Sequence, residues 1–99
     1  MAADIDRIKT MESYLNECTE AVSGLSEKLD QMDAVRDHMI RLFDYYGSEE
    51  WFSDRESELP EGIPAGVLTE DSVYDTISEV RDTTIRMLEL ATDILKNRI

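Results

Sequence analysis

Carboxylates are the chemically active groups this chain has most of: 23 of its 99 residues are Asp or Glu, against 10 Lys or Arg and one His. Asp71, Asp75 and Glu79 recur at i, i+4 and i+8, which puts three hard oxygen donors on one helix face, a spacing able to hold a cation. An acid-rich solvated helix face has the same spacing, and that is the preferred reading, so no metal is assigned. Glu17-x-x-Glu20 and Glu79-x-x-Asp82 have the letters of magnesium-holding pairs on facing helices. Cys18 and Val80, however, lie on the apolar seam between the members of each pair, which turns these acids outward or sideways, and no Lys or Asn set stands near them for phosphates. His38 and Cys18 are 20 residues apart without companions, so neither a zinc set nor a nucleophile–base pair forms. The glycines between 47 and 66 make no phosphate-cradling motif. No catalytic residue and no cofactor is expected.

The elements that would carry these groups are helices. Ile8, Met11, Leu15, Cys18, Val22, Leu25, Leu29, Met32, Met39, Phe43 and Tyr46 recur at alternating steps of three and four, close to a heptad pattern. The register is interrupted at Arg36, with Val35 beside it as an alternative inward residue. One long helix over about 4–46 is expected, with a break near Ser23-Gly24 as the alternative, since an interior Gly costs about 1 kcal/mol relative to Ala. A second stripe of Tyr74, Ile77, Val80, Thr84, Met87, Ala91 and Ile94 predicts a helix over about 70–97. Thr69 caps it, Glu70 and Asp71 face the positive end of its dipole, and Lys96 and Arg98 suit the other end. The methionines on the first stripe and Met87 on the second are read as gap-filling core residues.

Between the stripes, Gly47, Pro60, Gly62, Pro64 and Gly66 forbid a continuous helix. Ser48 before Glu49-Glu50-Trp51-Phe52 reads as a capped short helix. Phe43, Tyr45, Tyr46, Trp51 and Phe52 place five of the seven aromatic residues in this neighbourhood, where they would plug the turn with Val67 and Leu68 closing over them. The fold class is therefore all-α: a long antiparallel helical hairpin or small helical bundle, one domain over 1–99, with a short helix and irregular segment at 47–68. At about 1.5 Å per residue the first helix would span roughly 65 Å and the last roughly 42 Å, leaving Ile5, Ile8, Met11 and Leu15 beyond the end of a simple hairpin. Either the first helix folds back near Gly24 into a three-helix bundle or two chains pair, and the homodimer is preferred.

Net charge is −13, with acids in excess along the whole chain: 10 against 5 bases over 1–46, 6 against 1 over 47–68, and 7 against 4 over 69–99. No basic patch gathers phosphates, so direct binding of nucleic acid or an anionic membrane is not expected. Apolar runs fall short of a bilayer span, the N-terminus does not read as a secretory signal, and the single Cys18 fits a reducing compartment, which together point to the cytoplasm.

The stretch Tyr45-Tyr46-Gly47-Ser48-Glu49-Glu50-Trp51, then Gly66-Val67-Leu68-Thr69-Glu70-Asp71-Ser72-Val73-Tyr74-Asp75 and Arg86-Met87-Leu88-Glu89-Leu90-Ala91, resembles a family of short bacterial and phage-borne proteins known only as a domain of unknown function. Its members have YYGSEEW-like and GVLSEDAVYD-like stretches, from which this chain departs at Thr69, Ser72 and around Arg55-Glu56-Ser57. The resemblance covers the C-terminal half closely and the first helix in pattern. It implies a small helical cytoplasmic protein with no activity to carry over, and it marks Tyr45, Tyr46, Glu49, Glu50, Trp51, Glu70, Asp71, Tyr74 and Asp75 as candidate partner-binding positions. Four aromatics and five carboxylates on one rim would suit a Lys- or Arg-bearing partner through cation–π and charge-assisted contacts. The plainer reading makes the aromatics core plugs and the acids helix-terminus stabilisers.

The functional expectation is a non-enzymatic acidic interaction or adaptor protein that binds a protein partner with a basic surface. One alternative is an acidic inhibitor that mimics nucleic acid and blocks a DNA- or RNA-handling enzyme. The other is a magnesium-dependent nucleotide pyrophosphohydrolase built on the Glu17/Glu20 and Glu79/Asp82 pairs.

Overall fold

The computed structural model describes residues 2–97. The protein is all-α: α1 (Ile5–Ala34), α2 (Arg36–Tyr45), α3 (Glu49–Glu56) and α4 (Glu70–Asn97), with a 3-10 turn at Gly66–Leu68 and no strand among the described residues. A short helix and an irregular segment separate the two long periodic stretches. The chain divides into two compact units, residues 1–38 and 39–99.

The first unit is essentially α1. Asp4 caps it by accepting a hydrogen bond from the Arg7 backbone N–H. The continuous helix expected over 4–46 is divided, and the division falls at Val35, not at Gly24. Gly24 stays helical with open space where a Cβ would be. At Val35 the backbone leaves helical values (φ −96°, ψ 1°), and its N–H is shared between the Gln31 and Met32 carbonyls at 3.3 Å each. A β-branched residue beside the charged Arg36 on the apolar seam is where propensity and packing both weaken. No residue of α1 is buried: its large seam side chains are from 37% (Met32) to 67% (Val22) exposed.

The second unit holds the core. Trp51 and Val73 are buried, at 2% and 4% exposure. Met39, Leu42, Phe43 and Tyr45 from α2, Tyr46 just after it, Val67 and Leu68 from the 3-10 turn, and Ile77 and Val80 from α4 are half-buried. Every described residue beyond Val80 is exposed, including Met87, Leu88, Ile94 and Leu95. Lys96 stands in the last turn of α4. Arg98, placed at the same end by the sequence, lies outside the described residues.

Candidate functional site

The aromatic cluster is assembled by two local devices. Gly47 adopts φ +78°, a left-handed value that ends the α2 segment at little steric cost. Ser48 then starts α3: its Oγ accepts the Trp51 backbone N–H at 3.2 Å and donates to the Tyr45 carbonyl at 2.6 Å. Glu49 and Glu50 occupy the first turn, where the helix dipole favours negative charge. Trp51 is thereby held in that first turn and turned inward.

Around it the chain returns from the irregular segment. The Trp51 indole Nε1–H donates to the Val67 carbonyl at 2.9 Å, which ties α3 to the 3-10 turn. The Tyr46 ring meets Trp51 edge-on at 5.1 Å between centroids, and the Tyr46 hydroxyl donates to the Glu70 carbonyl at 2.9 Å. The Arg55 guanidinium lies 5.1 Å from the Trp51 ring centre, and its Nη1 reaches Glu70 Oε1 at 3.1 Å. Thr69 begins α4, its Oγ1 accepting the Ser72 backbone N–H at 3.3 Å. Outside this cluster the Tyr45 hydroxyl donates to Asp54 Oδ2 at 2.6 Å. That hydrogen bond, with partial burial and the nearby charges of Asp54 and Glu50, pushes the Tyr45 pKa up to about 12.

Of the nine candidate positions, the structure joins Tyr46, Trp51 and Glu70 directly, and sets Tyr45 on the flank through Asp54. Trp51 is buried, so its ring offers no surface to a partner. Glu49, Glu50, Asp71 and Asp75 are exposed acids in the opening turns of α3 and α4, and Tyr74 is 61% exposed. Arg55 is central to the cluster and was not singled out from the sequence; Val73, on the apolar stripe of α4, is the other buried residue. Arg55 had one available signal, as the lone base among the six acids of 47–68. Asp71, Asp75 and Glu79 are exposed along α4, as are Glu17 and Glu20 on α1 and Asp82 on α4. Among the described residues, no three His, Cys, Asp or Glu side chains gather where a metal ion would fit. No described helix is long and apolar enough to cross a membrane.

These features define a small acidic all-α protein in which Trp51 is the buried plug, with Tyr46 and Arg55 against it, whereas Phe52, expected in the same plug, and Tyr74 stay more than half exposed. Within that class the chain belongs to the family described as a domain of unknown function (DUF4298), whose model matches residues 8–90. The comparison with curated proteins returned no match.

Proposed function

We propose that this is a non-enzymatic, cytoplasmic interaction protein that binds a protein partner through the apolar stripe of α1. One observation carries the reading: a 30-residue helix presents its whole seam, from Ile8 to Met32, without a single buried residue. A helix of that length takes most of its stability from packing an amphipathic face, and a contiguous exposed apolar stripe marks an interaction surface. Burying a half-exposed Leu, Ile, Met or Val contributes about 1 kcal/mol, so the seven large seam side chains supply about 7 kcal/mol from this chain alone. A partner stripe of similar size doubles that, which meets an association cost of about 4–15 kcal/mol. The acidic groups of α3 and α4 have a smaller role here, as solubilising and capping charge around a closed plug.

Cys18 is the test probe, because it is the only cysteine and lies exposed on the seam. In the cells that make the protein, Cys18 should react with a maleimide at least about tenfold more slowly than in a purified Leu25→Asp chain, since covering a thiol blocks access. Equal rates in the two settings would refute association through this stripe.

A further inference from the structure

We infer that the occupant of the α1 stripe is a second copy of the same helix, running parallel and in register. This rests on the reading of α1 as the interaction surface and commits it to one partner. The structure supplies the frame: α1 is helical without interruption from Ile5 to Ala34, so one heptad assignment holds throughout, across Gly24. The a positions are Ile8, Leu15, Val22 and Leu29. The d positions are Met11, Cys18, Leu25 and Met32. Four heptads without a misplaced polar residue reach the length at which a seam supports a coiled coil, and β-branched Ile8 and Val22 at two of the four a positions, with Leu25 at one d position, lean towards two strands. The next a position is Arg36, and the helix ends just before it.

The charges beside the stripe decide what fits it. Arg7 and Lys28 hold g positions, while Glu12 and Asp33 hold e positions. The remaining acids of α1, Asp6, Glu17, Glu20, Glu27 and Asp30, fall on the outer b, c and f positions. In a parallel in-register pair each g residue faces the e′ residue five places on, so Arg7 meets Glu12 of the other copy and Lys28 meets Asp33. The two-fold axis makes each pair twice. An antiparallel pair instead sets g against g′ and e against e′, which brings Arg7 towards Lys28 and Glu12 towards Asp33. One orientation satisfies every flanking charge and the other satisfies none. In the single chain these groups have only exposed local contacts: Arg7 with Asp4 at 4.0 Å, Asp33 with Arg36 at 3.6 Å, and Lys28 with Gln31 at 3.3 Å. Exposed pairs of this kind are readily exchanged for interhelical ones.

The purified full chain tests this by sedimentation, with Trp51 emission confirming that the second unit is intact in each variant. A dimer is expected, and Leu25→Asp should raise its dissociation constant by about 100-fold or more, because it places a charge in the seam. Under diamide, Cys18 should cross-link to Cys18 of the other copy, since a parallel pair opposes the two d positions and an antiparallel pair does not. Arg7→Glu with Lys28→Glu should weaken the dimer about tenfold at low salt and less at high salt. Adding Glu12→Lys and Asp33→Lys to that variant should restore it. A monomer, a dimer without the Cys18 cross-link, or a dimer indifferent to the charge changes overturns the inference. A purified monomer whose Cys18 is nevertheless shielded in cells removes the second copy alone and leaves the interaction reading standing, whereas unshielded Cys18 removes both.

Discussion

Replacing Trp51 with Phe separates a plug from a binding surface, and its size can be worked from the contacts. The substitution removes the indole N–H that donates to the Val67 carbonyl at 2.9 Å, worth about 1 kcal/mol as a neutral hydrogen bond. It also removes one ring from a side chain only 2% exposed, which costs about 1–2 kcal/mol as incompletely filled space. A looser edge-on contact with Tyr46, now at 5.1 Å, adds about 0.5 kcal/mol. Together these come to about 2–4 kcal/mol. A unit of this size is held by about 3–9 kcal/mol at typical stability per residue, so the change consumes a large fraction of it. The assay is amide hydrogen exchange in residues 66–80, which reports opening of the 3-10 turn and the start of α4 independently of α1. Protection there should fall by at least about 30-fold, taking about 1.4 kcal/mol per factor of ten. A loss below about threefold would show that the indole holds nothing together and would return Trp51 to the candidate binding surface.

Three further outcomes follow from Tyr45, Gly47 and Gly24. Tyr45 is held protonated by Asp54, its pKa raised from 10.0 to about 12, so its contribution to stability is complete below pH 10.0 and is lost as pH rises through about 12. The difference between wild-type and Tyr45→Phe ultraviolet titrations should be one late transition near that pH, and Asp54→Asn should move it down. Gly47→Ala should destabilise the second unit by about 1 kcal/mol in urea unfolding, because φ is +78° while a Cβ there meets nothing within 4 Å, and Gly47→Asn should cost less. Gly24→Ala, at an open helical position, should instead raise α1 helicity by circular dichroism, worth about 1 kcal/mol.

What could be seen in the sequence was what is decided within one helical turn. Ser48 and Thr69 cap their helices through hydrogen bonds that span three residues, so their letters alone announce them. The interruption of the first helix was harder to place. Gly24 is the strongest breaker by composition, yet it falls on the outer c position, where the surrounding turns keep the ladder intact. Val35 carries no breaker letter, and only the Arg on the neighbouring seam position hinted at it. The burial of Trp51 under Val67 was legible as the plainer of two readings but not decided there, because a plug and a hot spot use the same aromatic residues. The return of Val67, 16 residues later, to accept the indole N–H is what decides it, and that closure is set by tertiary structure. Arg55 shows the same limit: its position over the ring depends on where Glu70 arrives.

The seam that runs from Ile8 to Tyr46 as one pattern is spent in two ways. Met39, Phe43 and Tyr46 are half-buried in the second unit, where Tyr46 joins Trp51 and Glu70. The eight positions from Ile8 to Met32 keep the same periodicity and are all exposed. Periodicity states that a stripe must be covered and is silent about whether the cover comes from within the chain. In the aromatic–acidic segment, capping, the Trp51 plug and the Arg55–Glu70 pair engage Ser48, Trp51, Arg55 and Glu70, while Glu49, Glu50, Asp71, Tyr74 and Asp75 stay exposed. The interface we propose is on α1, whose residues are plain but whose flanking charges are sorted by sign. A chain with 23 acids and 10 bases that places both flanking bases at g and both flanking acids at e has the charge order that a parallel second copy needs.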